Sequence, residues 1–360
     1  MPGPAPGARP RPRARLRSVL NGRMRGAIIH GPGDVRFEER PDPVIVEPTD
    51  AVVRTVASCV CGSDLWRYRG ISRVKRPTPI GHEYVGVVEE IGTAVTTVKP
   101  GDFVVGGFKH SDNTCAVCRK GMQANCLHGG GFDGCQAEKI RIPNADGTLL
   151  ATPGEPDAEL IPSLLSLSDV MCTGWHAAVS AGVGPGSSVV VVGDGAVGLS
   201  GVLAAAQLGA TTIIAMSRHE SRQKVAEEFG ATHIVAERGE QGLAQVLELT
   251  EGIGADAVLE CVGTEEARAQ SVELVRPGGT IGLVGVPHGD LPTDTLFWGN
   301  KGIRGGVAPV RAYLPHLLDL VWKREIDPGK VFDLTLPLSE VADAYRAMDE
   351  RRAIKVLLQS

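Results

Sequence analysis

Two short segments, Cys61-Gly62-Ser63-Asp64 and Gly81-His82-Glu83, each set a soft or borderline metal ligand beside glycine. A catalytic zinc takes about three protein ligands and keeps one position open for exchange, so ligands dispersed along the chain are expected. Taken singly each segment is weak, because a lone Cys or His is more often a core residue. A tighter pattern follows. Two residues separate Cys115 from Cys118 and seven separate Cys118 from Cys126, the spacing of a structural zinc knuckle. A closed tetrahedral site needs a fourth ligand. Asp112 continues the same spacing backward and is the expected one, with His110 and His128 competing by proximity. Three cysteines acting only as small hydrophobes would not suit so polar a stretch.

A second chemistry is written in Gly193-Asp194-Gly195-Ala196-Val197-Gly198, a G-x-G-x-x-G between an expected strand and an expected helix. Such glycines permit a tight turn and bring a pyrophosphate close to a helix N-terminus. The amides of Gly195, Val197 and Gly198 are the expected cradle. A NAD site usually carries Asp or Glu at the end of the second strand. Here the strand end reads Ser217-Arg218-His219, with Arg222 one turn on, and guanidinium groups suit a 2′-phosphate. The expected dinucleotide is therefore NADP rather than NAD. The competing reading makes Arg218 and Arg222 a solvated helix face and lets Glu220 serve a NAD ribose.

The elements that must position these residues fall into two textures. From Met24 to about Ser168 short β-branched runs such as Ala51–Val56, Tyr84–Ile91 and Asp102–Val105 are broken by Gly and Pro, as in a small β-barrel. From about Gly184 apolar strands alternate with helices, which indicates a parallel sheet covered on both faces. Its expected strands are Val189–Val192, Thr212–Met216, Thr232–Val235, Ala257–Cys261 and Thr280–Val286. The C-terminal part returns to mixed elements and ends on an expected strand at Ile354–Leu358.

Charge and composition narrow the function. Residues 1–23 hold six arginines and no acid or lysine, so the chain's net charge of −5 leaves −11 on the other 337 residues. So acidic a body repels phosphate backbones, and no nucleic-acid partner is expected. The Arg/Pro-rich segment 1–23 is read as a disordered leader ahead of Met24, with a nucleic-acid arm or organelle signal as the alternatives. No uninterrupted run of 18 apolar residues occurs, so no membrane partner is expected either. Clustered cysteines without a secretory signal point to metal binding in a reducing compartment, and the expected location is cytoplasmic.

From Met24 onward the chain resembles the zinc-dependent medium-chain alcohol dehydrogenases. The resemblance is carried by CGSD at 61–64, GHE at 81–83, the knuckle at 112–126, SDVMCTGWHAA at 168–178, the GDGAVG loop and RPGGTIGLVGVP at 276–287. It implies an α/β plus β fold. A GroES-like β-barrel catalytic domain would span 24–172, a Rossmann doubly wound parallel sheet 173–308, and a C-terminal piece 309–360 would rejoin the barrel. It further implies Cys61, His82 and Asp169 as catalytic zinc ligands, with Glu83 as a carboxylate that binds zinc in some resting states. Cys172 is a decoy, because family spacing puts the ligand four residues before Thr173-Gly174. Ser63 matches the hydroxyl that accepts the alcohol proton, and Cys261-Val262-Gly263 and Val284-Gly285-Val286 match the nicotinamide side of the crevice.

Two departures stand out. Asp112 replaces the usual first cysteine of the structural site, and Trp66 replaces a proton-relaying histidine found in many members. Trp66 is thus expected in the substrate pocket. The expected protein is an enzyme with two zinc ions per chain, NADP and a small alcohol or carbonyl substrate, assembled as a homodimer or homotetramer. An NADPH-dependent reductase of an activated C=C or C=N bond is the first alternative, and a non-catalytic NADP-sensing protein the second.

Overall fold

The structure, a computed structural model, describes residues 22–360. The leader expectation lies outside the described residues up to position 21. At its other end the chain differs from expectation. Arg23 already opens the strand Arg23–Gly31, which pairs antiparallel with Asp34–Pro41, and its guanidinium meets Glu39 across that hairpin.

Residues 188–305 form a six-stranded, all-parallel sheet. Its spatial order is His233–Val235, Thr212–Met216, Ser188–Val192, Ala255–Glu260, Val275–Leu283 and Gly302–Gly305. Successive side chains in a strand point to opposite faces, and here both faces are buried. Val189 and Val191 pack into one apolar cluster, while Val190 and Val192 pack into another. Ala257 and Leu259 divide from Val258 in the same way. That is why these strands read as unbroken apolar runs.

Numbered in chain order, the strands lie 3-2-1-4-5-6, the doubly wound dinucleotide-binding order. The order reverses between Ser188–Val192 and Ala255–Glu260, so a crevice opens beyond their C-terminal ends. Gly193 sits there at φ +112°, where a Cβ would come within 2.8 Å of Val262 Cγ2. A Cβ on Gly198 would overlap the carbonyl oxygen of Gly193. Only glycine closes this turn.

The other half is built on a largely antiparallel sheet. Ala51–Cys59 pairs with Tyr84–Ile91, which pairs with Phe103–Gly106. The last strand, Val356–Gln359, pairs with Ala51–Cys59 and with Leu334–Pro337, so the C-terminal segment does rejoin the first sheet. The helix Val341–Asp349 covers that junction through Val341, Ala344 and Tyr345. The expected boundary at 172/173 falls inside the continuous helix Val170–Ser180, whose residues pack into a cluster shared by both halves.

Some element ends also differ. Cys261 lies beyond its strand, which ends at Glu260, and Val284–Val286 lie beyond a strand that ends at Leu283. These four residues are therefore loop, at the mouth of the crevice. The edge strand Gly302–Gly305, half glycine, escapes a β-propensity reading.

Candidate active site and metal centres

Register explains how the first ligands meet. Ser58 pairs with Tyr84 across the antiparallel ladder, so the end of one strand lies beside the start of its neighbour. Cys61 leaves the first strand just as His82 and Glu83 enter the second. Asp169 comes from a different element, at the N-terminus of the helix Val170–Ser180. One ligand atom from each of Cys61, His82, Glu83 and Asp169 falls within 4.8 Å of the others. His82 Nε2 is 3.3 Å from Asp169 Oδ2, and Cys61 Sγ is 3.7 Å from the same oxygen. Cys172 takes no part, since it is buried and its thiol donates to Leu167 O.

Neighbouring groups orient these side chains. Thr173 donates to Asp169 Oδ1 at 2.6 Å, leaving Oδ2 turned to the cluster. Asp64, fully buried, accepts the Cys61 amide at 3.1 Å and faces His82 Nδ1 at 3.4 Å. A carboxylate behind a histidine fixes which ring nitrogen faces the metal. Burial opposes a charge on His82, but Asp64, Cys61 and Asp169 outweigh it and hold its pKa well above the usual range. Glu83 is fully buried, with Oε1 2.7 Å from Lys355 Nζ. Its Oε2 is buried and has no hydrogen-bond partner among the described residues. Burial pushes the Glu83 pKa up, against the pull of Lys355. A thiol, an imidazole and carboxylates converging around an unpaired buried oxygen form a donor set that fits Zn²⁺.

The second cluster lies on the loop between the paired strands Lys109–His110 and Gly130–Gly131. Sγ of Cys115 is 3.5 Å from that of Cys118 and 3.9 Å from that of Cys126. Asp112 Oδ1 is 3.5 Å from Cys118 Sγ and 3.3 Å from Cys126 Sγ. These spacings match the edges of a tetrahedron built on bonds of about 2.0–2.3 Å. The competing histidines stand outside it. His110 Nδ1 is engaged by Asn144, and His128 sits behind Asp112, 2.6 Å from its other oxygen. The amides of Cys118 and Leu127 push the Cys115 thiol down to about 7, while burial pushes Cys118 up to about 12. All eight cysteines are free thiols.

The catalytic cluster opens into a cleft of about 1610 Å³ that runs along the glycine loop. Cys61, His82, Asp169, Ser63 and Trp66 line one end. Gly193, Gly195, Ala196 and Val197 line its floor, with Cys261, Val262, Val284, Gly285 and Val286 opposite. The helix Ala196–Gln207 begins there with no side-chain cap, leaving its N-terminal amides available to an anion. Arg218 and Arg222 line the far end. Three expected cofactor residues stand behind the wall rather than on it. Gly198 and Gly263 are buried where close packing leaves no room for a Cβ, and the Ser217 hydroxyl donates to Asp194 at 3.0 Å.

Sequence reasoning missed several residues. Glu260 Oε1 accepts the amides of Val262 and Gly263 at 2.9 and 2.7 Å, and its carbonyl accepts those of Val284 and Gly285. One buried residue thus joins the two loops expected to flank the nicotinamide. Asp64, Lys355, His288 and Arg238 were also passed over. The CGSD motif contained a signal for Asp64, but the others carry none.

A parallel dinucleotide sheet, a barrel, one metal-competent cluster on their shared cleft and a second on a loop outside it define a metal-dependent nicotinamide oxidoreductase. Comparisons with known proteins agree. Residues 47–153 match the family model "Alcohol dehydrogenase GroES-like domain" and residues 196–323 match "Zinc-binding dehydrogenase". "Zinc-type alcohol dehydrogenase B" from Aspergillus flavus is 34% identical, covering 98% of this chain and 85% of that protein. "NADP-dependent isopropanol dehydrogenase" from Thermoanaerobacter brockii is 34% identical over 86% of this chain and 91% of that protein. The solved structure of alcohol dehydrogenase TADH from Thermus sp. ATN1 superposes with a TM-score of 0.86 at 33% identity, covering 93% of this chain and 99% of that one. The chain belongs to the zinc-dependent medium-chain alcohol dehydrogenase family. It is an oxidoreductase of a family that uses zinc and a nicotinamide cofactor on small molecules. No helix among the described residues is long and apolar enough to cross a membrane.

Proposed function

We propose that the chain transfers a hydride between NADP(H) and a small alcohol or its carbonyl counterpart. The observation that carries this reading is the single cleft joining the Cys61–His82–Glu83–Asp169 cluster to the arginine-lined end of the glycine loop. When bound, zinc supplies a Lewis acid for the substrate oxygen and the nicotinamide supplies the hydride acceptor. Cys61 and Asp169 carry the two negative charges that balance the ion, and His82 is held by Asp64 in the orientation that presents Nε2. Glu83 keeps one oxygen on Lys355 and the other free to approach the same centre. Ser63, on the cleft wall, accepts the alcohol proton. Trp66 beside it has only an indole N–H and cannot pass a proton on, so Ser63 would have to hand the proton to water in the cleft or to another group.

The finer assignments follow. Asp112, Cys115, Cys118 and Cys126 hold a second, structural zinc, giving two per chain. NADP is favoured over NAD because Glu220, the carboxylate that would serve a ribose in a shifted register, is exposed and paired with Lys224 at 2.9 Å. The free thiols support a cytoplasmic location. The edge strand Gly302–Gly305, paired on one side only, lies near Phe297 and Trp298, which are 72% and 80% exposed, and this supports assembly with a second copy. The catalytic unit comprises about 23–172 with 309–360 and the cofactor unit 173–308, with the helix Val170–Ser180 shared between them.

Turnover of a panel of primary and secondary alcohols, ketones, enones and imines with each cofactor tests the reading. Oxidation of alcohols with NADP⁺ well above NAD⁺ is expected. Reduction confined to enones or imines would overturn it.

A further inference from the structure

The end of the third strand contributes to the same cleft. His233–Val235 runs parallel to Thr212–Met216 with Met216 opposite Val235, so chain leaving the third strand passes beside Ser217 and Arg218. Arg238 lies three residues on and lines the cleft with Arg218 and Arg222. Its Nη2 donates to the carbonyl of Met216 at 3.1 Å, which fixes the guanidinium against the second strand's end. Its Nη1 is buried and has no hydrogen-bond partner among the described residues. An unpaired buried donor is costly, and the cost disappears when an anion occupies the space.

The three arginines are not equivalent. Arg222 is already engaged, donating to Asp194 Oδ1 and to the Asp194 carbonyl at 3.2 Å each. Arg218 makes no hydrogen bond or ion pair among the described residues. Three guanidinium groups less the Asp194 carboxylate leave a net charge of +2, which matches the charge of about −1.5 to −2 on a phosphomonoester. The helix Gly239–Leu249 starts at the next residue without a side-chain cap, so its N-terminal partial charge adds to the attraction.

We infer that Arg238 is a specificity-determining residue for the adenosine 2′-phosphate of NADP(H), gripping it from the third strand opposite Arg218. This rests on the NADP reading above, and it adds Arg238 to the expected Arg218 and Arg222.

Equilibrium titration of the zinc-loaded full chain with NADPH, NADH, adenosine 2′-monophosphate and adenosine 5′-monophosphate tests it. Arg238→Gln should weaken NADPH and the 2′-monophosphate by about tenfold or more, and NADH and the 5′-monophosphate by less than about twofold. Arg238→Lys retains the charge and a donor for Met216 but not the fork, so it should fold as the parent and still lose part of the 2′-phosphate preference. Equal losses for all four probes, or no loss in either variant, would overturn the inference. If the unsubstituted chain itself bound the 2′- and 5′-monophosphates alike, the NADP reading would fall too. If it preferred the 2′-phosphate and the variants did so undiminished, only the role of Arg238 would fall.

Discussion

The indole of Trp66 lies face to face with the imidazole of His288, ring centroids 3.9 Å apart and planes inclined by 28°. Trp66 belongs to the short helix Asp64–Tyr68 beside the catalytic cluster, and His288 to the loop beyond Val284–Val286. The stack joins the helix beside the metal-competent cluster to the loop that follows Val284–Val286. The His288 amide donates to Gly263 O, and its carbonyl accepts from Arg268, so the ring is held from behind. A tryptophan at this position therefore works as a wall and a contact between the two halves, where a relay histidine would have worked as a proton carrier.

A double-mutant cycle measures that contact. Trp66→Ala and His288→Ala should show a coupling of about 0.5–1.5 kcal/mol in denaturant unfolding, the ordinary worth of an aromatic pair. Trp66→Ala should also raise kcat/KM for bulky alcohols relative to small ones. Additive single variants with an unchanged substrate ranking would contradict both points.

The buried pair Glu83–Lys355 predicts a different asymmetry. Lys355→Met strands a buried carboxylate and should cost about 3–5 kcal/mol in the zinc-loaded protein. Adding Glu83→Gln removes the stranded charge and should restore most of that loss. Urea unfolding of the parent and the two variants reads this directly, and a double variant no more stable than Lys355→Met would contradict it.

Asp112 tests the structural site. A carboxylate binds zinc less tightly than a thiolate, so Asp112→Cys should slow zinc release to a chromogenic chelator, and Asp112→Ala should speed it. Chelation of the unsubstituted chain should run in two phases. The open catalytic site should lose metal without unfolding, while loss from the knuckle destabilises its loop. Identical release rates in all three proteins would exclude Asp112 as a ligand.

Asp50 sets part of the acid sensitivity. Burial pushes its pKa up, but Arg141 at 2.6 Å and the amides of Val46 and Glu47 outweigh this and hold it below the usual value. A carboxylate whose pKa is lowered by folding stabilises the fold above its unfolded pKa, about 3.9, and that contribution is lost as the pH falls through the folded value. The melting-temperature gap between Asp50→Asn and its parent should therefore be widest above about pH 5 and close toward pH 2. A gap independent of pH would contradict the assignment.

Much of this site was legible because its parts are local. The parallel strands announce themselves as apolar runs, and Cys115, Cys118, Cys126 and Gly193–Gly198 keep their neighbours within one loop or turn. Asp169 is different. It stands 108 residues from Cys61, and spacing alone cannot choose it over Cys172; family resemblance did so. Lys355 enters only because the last strand returns to the first sheet, and Arg238 only because the sheet order lays the third strand beside the second. His288 meets Trp66 across the cleft, with no trace in either local sequence. The expected leader runs to residue 23 because Arg23 counts with it by charge, yet in space Arg23 opens a strand and pairs with Glu39.

The most direct test of the account is zinc content per chain, measured by mass spectrometry together with NADP⁺-dependent alcohol oxidation. The protein should hold two zinc ions and turn over. Exchanging Cys61 or Asp169 for alanine should leave one ion, a folded chain and no hydride transfer. Two ions retained in those variants, or full turnover with one, would contradict the assignment of this cluster as the catalytic zinc site.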